Sequence, residues 1–320
     1  MTRINQLGKI GRFGVVGTAT LVGHGLNYYA MKYVLGRQSL VRRIHDYKLC
    51  LDLRDGGLSK DIAIRGTREE QLKYIIDREV GPGDVVLDIG ANIGYYTIML
   101  ANRVGDSGKV YAIELEPKNF ERLRTNIELN GVGNVVQAYW LGASDAQGTG
   151  KLYVHEFSNL HSFLPMPGSS SNGSDGQPYV EVPLTDISSF IEGKRPVDIL
   201  RMDIEGYEVE VITGLERAIE DGSFSGKILF ECHFPRYNEE THSMRGPLTM
   251  LLGHGYHGRY MTSTDERRPR IREMGYEPTS LVQTNDSRFR GVYENVAGDD
   301  VVTLICKTGG VRDILLEKRA

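Results

Sequence analysis

Cysteine is scarce in this chain: there are three in 320 residues, Cys50, Cys232 and Cys306, far apart and without a CxxC pair. That excludes a disulfide scaffold, a thiolate zinc site and a redox dithiol, and it predicts a reducing, cytoplasmic setting. Net charge is equally small, -4 from 38 basic and 42 acidic residues. A chain so near neutrality has no general affinity for nucleic acid, so a DNA or tRNA substrate is disfavoured. Long apolar runs are missing too. The stretch from Phe13 to Leu35 is moderately apolar, but His24, Asn27 and Lys32 interrupt it, and a membrane span needs about 20 predominantly apolar residues. No convincing cleavage site follows, so a signal peptide is not expected. Residues 1–45 therefore read as an N-terminal helical extension, packed on the domain or on a partner; the alternative is a peripheral membrane contact.

What is present is an ordinary globular composition, 40% hydrophobic and 25% charged, in a length that suits one large α/β domain with additions. Tyr47, Leu49, Leu51 and Leu53 alternate with polar neighbours, which marks a half-buried strand. Leu72, Ile75, Ile76 and Val80 give 68–80 an amphipathic helical face. A strand–helix rhythm then begins. Apolar runs at 85–89, 110–113, 134–140, 197–202 and 227–230 read as strands, with helices over 94–102, 119–130 and 207–220. Such alternation implies a parallel sheet with helices on both faces.

Two segments break the rhythm. Residues 155–180 carry a glycine- and serine-rich stretch that reads as a flexible loop, either a surface excursion or a lid. Residues 265–300, rich in arginine and tyrosine, read as a cap insertion. The run Val301 to Cys306 is expected to be the last strand, and the tail from Val311 a short helix. The domain assignment is 1–45 for the extension and 46–320 for the main domain.

The chemistry begins at Asp88-Ile89-Gly90-Ala91-Asn92-Ile93-Gly94, which follows a strand and opens a helix. Gly90 permits a sharp turn near a ligand, and Gly94 permits close packing at the helix start. The GxGxxG spacing of a pyrophosphate loop is absent, because Asn92 stands where its middle glycine would be. An acid directly before the loop, Asp88, suits a ligand with an ammonium and a sulfonium better than a diphosphate. S-adenosylmethionine fits that description. Glu114 ends the second strand, where a carboxylate can accept bonds from both ribose hydroxyls. Ala91, Tyr95 and Ser144 complete the cofactor-side candidates.

At the other end, Asp203 and Glu205 are two apart, and so are Glu231 and His233. In extended chain each pair shares a face, so neighbouring strand ends would gather four reactive groups. Asp203 or His233 could serve as a general base. Alternatively Asp203 and Glu231 could hold Mg²⁺, which prefers oxygen ligands. Glu205 and Glu208 also suit a helix N-terminus.

Residues 85–97, Val110 to Glu114 and the run Leu200-Arg201-Met202-Asp203-Ile204-Glu205-Gly206-Tyr207-Glu208 together resemble the FkbM-type methyltransferases. Ile228 to His233 is similar to that family's next strand, and His161-Ser162-Phe163 falls where the family has a serine-containing loop. The likeness covers about residues 47–256; Leu115 and Glu116 depart from the family's usual proline and small polar residue. It implies a class I methyltransferase (Rossmann-like) fold, a seven-stranded, mostly parallel sheet whose last strand is antiparallel. It also implies O-methylation of a sugar in a glycan or glycosylated metabolite, or of a natural-product scaffold of the polyketide type. Two readings of other classes remain at this point: an NAD(P)-dependent reductase, and a non-catalytic sugar-binding protein on the same fold.

Overall fold

The computed structural model describes residues 14–153, 179–285 and 288–319. A helix, Gly14–Tyr29, runs through one irregular turn into the hairpin β1 (Ser39–Ile44) and β2 (Tyr47–Asp52). The extension is thus helix plus strand, and the alternating run at Tyr47 is the hairpin's second arm.

The main sheet then builds from β3 (Val85–Ile89), β4 (Lys109–Glu114) and β5 (Val136–Trp140). A small side sheet holds β6 (Gly142–Ser144), β7 (Gly148–Tyr153) and β8 (Tyr179–Asp186). The main sheet resumes with β9 (Ile199–Met202), β10 (Lys227–Glu231), β11 (Tyr256–Ser263), β12 (Ser280–Gln283), β13 (Phe289–Val296) and β14 (Val311–Lys318). Its order is β12-β13-β11-β14-β10-β9-β3-β4-β5. From β5 to β11 this is a seven-strand unit in which β14 alone runs antiparallel to its neighbours. That is the class I arrangement, with its order reversing between β3 and β9, where open α/β sheets place ligands.

Four expectations need correcting. The sheet has nine strands, because 265–300 is no cap: β12 and β13 pair antiparallel and extend its edge beyond β11. The run Val301–Cys306 is helical, in Gly298–Thr303 and the turn that follows. A short continuous apolar run does not distinguish buried helix from strand, and Asp299 and Asp300 at its start favour a helix N-terminus. The last strand is the tail, Val311–Lys318, expected as a helix; buried on both faces, it shows no alternation. The helix expected over 207–220 is two short ones, Glu208–Thr213 and Glu216–Glu220. They part at Gly214, where a Cβ would lie 2.2 Å from the Ser144 carbonyl oxygen. Most of 155–180, including His155 and His161, lies outside the described residues.

Strand alternation divides the core. Val85, Leu87 and Ile89 join Leu200, Met202 and Phe230 on one face. Val86, Ile199 and Leu229 pack with Ile75 and Ile98 on the other. Asp88 and Arg201 follow the parity of this second face, as does Glu231.

Candidate active site

A cavity of about 270 Å³ opens above the carboxyl ends of β3, β4, β9 and β10. The Gly90–Asn92 loop, Tyr95 and Glu114 line one half of it; Asp203, Glu205, Glu231 and His233 line the other. The two groups singled out in the sequence therefore meet.

In the first half, Gly90 has φ 76° and sits against the next crossover: a Cβ there would lie 2.2 Å from the Asp203 carbonyl oxygen. Glycine is required by backbone meeting backbone, and not by ligand approach alone. Asn92, at φ 51°, turns its amide to Glu114 Oε2 at 2.7 Å. The Glu116 amide donates to Glu114 Oε1 at 2.8 Å. Burial pushes the Glu114 carboxyl up to about 7, against these two backbone bonds. A diol donating to its remaining lone pairs would return it to the carboxylate form, so the residues present suit the ribose of S-adenosylmethionine. Tyr95 faces the same space, its hydroxyl donating to the Arg68 carbonyl at 3.3 Å. Glu116 caps the following helix, accepting from the Asn119 amide at 2.6 Å.

Three cofactor candidates do not reach the cavity. Asp88 is fully buried, shares its face with Val86, and so points between sheet and helix. There Thr97 donates to it at 2.6 Å and Arg201 at 3.0 Å. It holds Arg201 and does not line the cavity. Gly94 packs against Leu123, as its helix-start position predicts. The Ser144 hydroxyl is bonded to Asp145 at 3.1 Å and to the Tyr207 hydroxyl at 3.2 Å.

In the second half the convergence is real but its cause differs from the expected one. Asp203 and Glu205 lie past the end of β9, in a turn where Glu205 has φ 55° and Gly206 φ 103°. It is this turn, and not strand alternation, that aims both carboxylates into the cavity. His242 Nε2 pins the turn at the Gly206 carbonyl, 2.7 Å away. Arg201 donates to Asp203 Oδ2 at 3.1 Å while its guanidinium lies over the Tyr96 ring at 4.3 Å. Arg312 pairs with Glu231 at 2.5 Å.

His233 stands among four carboxylates. Its Nδ1 is 2.8 Å from Glu208, and its Nε2 is 3.5 Å from Glu231, 3.7 Å from Glu205 and 3.8 Å from Asp203. Burial opposes its charge, but the bonded Glu208 and the other carboxylates raise it to about 10. That direction favours an imidazolium at neutral pH, a form with no free lone pair to act as the base that the spacing allowed. Burial and the nearby Asp203 push Glu231 up, against Arg312, and burial likewise raises Glu205. Asp203, bonded to Arg201 and 3.8 Å from His233 Nε2, lines the same cavity.

Asp203, Glu231 and His233 could each offer an atom to one ion, all within 4.8 Å. The set nevertheless fits Mg²⁺ poorly. Arg201, Arg312 and the His233 proton already supply positive charge there, and Mg²⁺ prefers oxygen over a protonated imidazole.

Several functional residues escaped the sequence reading. Glu208 is fully buried, holds His233 Nδ1, and accepts from the Tyr237 hydroxyl at 3.0 Å. It positions the imidazolium, where sequence suggested only a helix cap. Arg201, sitting inside the quoted motif, and Arg312, on a tail expected to be helical, were not singled out. Their partners are 113, 81 and 243 residues away, Asp88, Glu231 and Glu69, and no local spacing reports such pairs.

With this geometry in place, comparison with known proteins gives a consistent picture. The family described as Methyltransferase FkbM domain matches residues 88–278. The hexuronic acid methyltransferase AglP of Haloferax volcanii is 26% identical over 177 residues, 53% of this chain and 65% of that protein. Methyltransferase 1 of Beauveria bassiana is 28% identical over 147 residues, 41% of this chain and 58% of its own length. In both, the match spans less than two thirds of the relative. A solved FkbM methyltransferase from Methylobacillus flagellatus is 16% identical, covers 66% of this chain and 43% of its own, and superposes with a TM-score of 0.38.

Proposed function

The chain belongs to the FkbM methyltransferase family, and on that premise we propose that it transfers the methyl group of S-adenosylmethionine to a hydroxyl of a sugar, in a glycan or a glycosylated metabolite. The observation that carries the reading is the single cavity in which the Gly90–Asn92 loop and Glu114 face Asp203, Glu205, Glu231 and His233.

The cofactor, when bound, supplies an electrophilic methyl on a sulfonium. The chain supplies the rest. Glu114 and the loop backbone would hold the ribose side of the cofactor, in the cavity they share with the residues that follow β9 and β10. Asp203, held in place by Arg201, takes the proton from the acceptor hydroxyl, a weak nucleophile that needs such help. Glu205, Glu231 and the His233 imidazolium orient the sugar's other hydroxyls. Holding acceptor oxygen, methyl and sulfur in line is itself worth about 7–11 kcal/mol in favourable intramolecular cases.

A second cavity of about 310 Å³ adjoins the first and shares Leu58, Arg68 and Arg312 with it. With Arg65 and Arg290 its walls carry four arginines against the two acids Asp61 and Glu69, an excess of positive charge that suits an acidic sugar, and AglP is named for hexuronic acid. The three cysteines are free and buried, in keeping with a cytoplasmic setting. The test is methyl transfer by the purified chain, from labelled S-adenosylmethionine to a panel of hexosides, hexuronosides and phenolic scaffolds, read by mass spectrometry. A methylated sugar hydroxyl is expected. Methylation confined to phenolic scaffolds, or no product from any acceptor, would overturn the reading.

A further inference from the structure

The N-terminal helix has a surface that the proposed reaction does not use. Its inner side is anchored: Tyr28 is buried with its hydroxyl on the Leu53 carbonyl at 3.3 Å, and His24 Nδ1 meets Arg42 at 2.8 Å. Its outer side carries Val22, Leu26, Tyr29, Tyr33, Val34 and Leu35, all exposed. Leu26 is 67% and Tyr33 70% exposed. No charged residue stands among the exposed positions from 19 to 35. Lys32 is half-buried and lies over the Tyr33 ring at 5.3 Å. A helix that faces water normally carries charge on that side. Among the described residues, seven of the twelve large hydrophobic side chains that are exposed lie between Val22 and Val41.

Charge within this segment of the sequence is one-sided. Residues 1–45 contain seven Lys and Arg (Arg3, Lys9, Arg12, Lys32, Arg37, Arg42, Arg43) and no Asp or Glu, although the whole chain has 42 acids. The remaining 275 residues therefore carry 31 basic and 42 acidic side chains, a net -11. Arg37 and Arg43 are exposed next to the apolar surface. An apolar stripe with tyrosines, in a segment whose only charged residues are cations, is complementary to the headgroup layer of an anionic bilayer. No described helix is long and apolar enough to cross a membrane.

We infer that the outer face of residues 22–29 of this helix, with the turn that follows, docks on an anionic lipid surface, lying in the plane of the headgroups. Tyr29 and Tyr33 sit at the interface, Leu26 and Val34 enter the acyl boundary, and Arg37 and Arg43 meet lipid phosphates. The helix packs on Leu58–Arg65, which gives Leu58 to the active-site cavity and Arg65 to the adjoining one. The cavity mouths are thus one helix away from the membrane.

The test is co-sedimentation of the full chain with vesicles of phosphatidylcholine alone or with equal parts phosphatidylglycerol, at low and high salt. Binding to the anionic vesicles is expected, weakened by salt because the attraction is screened. The exposed pair Leu26→Asp/Tyr33→Asp should abolish it. Arg37→Glu/Arg43→Glu should weaken it by at least about tenfold. Both variants touch only exposed side chains, so thermal unfolding should stay as in the wild type. Wild-type protein left in the supernatant, or binding unaffected by either variant, would overturn the inference. So would a dimer in light scattering that Leu26→Asp/Tyr33→Asp dissolves without vesicle binding. None of these outcomes depends on methyl transfer.

Discussion

Glu114 and Asp203 are carboxylates on opposite sides of one cavity, and they are held by different means. Glu114 is bonded by two backbone amides, those of Asn92 and Glu116, one within its own strand–helix turn and one in the neighbouring loop. Asp203 is bonded by a guanidinium, Arg201, which is itself held by Asp88 on another strand. The cofactor half is fixed by backbone geometry, the reacting half by a chain of buried charges. Changes in the first should alter affinity; changes in the second should alter turnover and stability.

The sharpest break in that comparison is Asp88→Ala. The Arg201 guanidinium is buried, and removing one partner of a buried ion pair costs about 3–5 kcal/mol. Denaturant unfolding should show that loss, with Arg201 and Asp203 then displaced together. An unchanged stability would mean that the pair contributes nothing and that Asp88 is free to face a ligand.

Asp203→Asn comes next. It keeps shape and removes the proton acceptor, so turnover should fall about 10²-fold or more while S-adenosylmethionine affinity stays near wild type. Wild-type turnover should also survive EDTA, because Arg201, Arg312 and His233 stand where a metal would. Full activity of the variant, or loss in EDTA restored by Mg²⁺, would contradict the direct-base assignment.

On the other side of the comparison, Glu114→Ala should weaken cofactor binding by roughly 1–3 kcal/mol, the cost of losing a charged hydrogen-bond partner. Turnover at saturating cofactor should change little. Calorimetry giving wild-type affinity in the folded variant would place the ribose elsewhere.

The same contrast explains what could be read from sequence. The β3 loop, Glu114 and the run from Asp203 to Glu208 were legible because a strand, a turn and a helix start are local patterns with fixed spacing. The sheet from β3 to β10 followed from its apolar rhythm. Val301 to Cys306 and Val311 to Lys318 were exchanged in type because both are buried on every side, which erases the periodicity that separates helix from strand. Asp88 was misplaced for a related reason. Its position before the loop suggested a ligand, while its parity with Val86 sends it into the layer beneath the helix. Arg312 could not be found at all, since its value lies in Glu69 and Glu231, on other elements.

The smallest expected effect concerns His233, whose charge links the reacting half to pH. Burial alone would lower its pKa, but Glu208 at 2.8 Å and the surrounding carboxylates raise it from 6.5 to about 10. A group whose folded pKa is raised adds stability that is complete below its unfolded value, and that is lost as pH rises through the folded value. His233 therefore stabilises the fold fully below about pH 6.5, and its contribution fades toward pH 10. His233→Gln can still bond Glu208 but carries no charge. Its melting temperature should sit furthest below wild type near pH 6, and the gap should narrow steadily up to pH 10. Turnover in the same variant should fall modestly, because a cation near the acceptor is lost while Asp203 remains. A gap that stays constant with pH would show that His233 is neutral in the folded chain. It would then return to the list of candidate bases, and the division of labour with Asp203 would have to be redrawn.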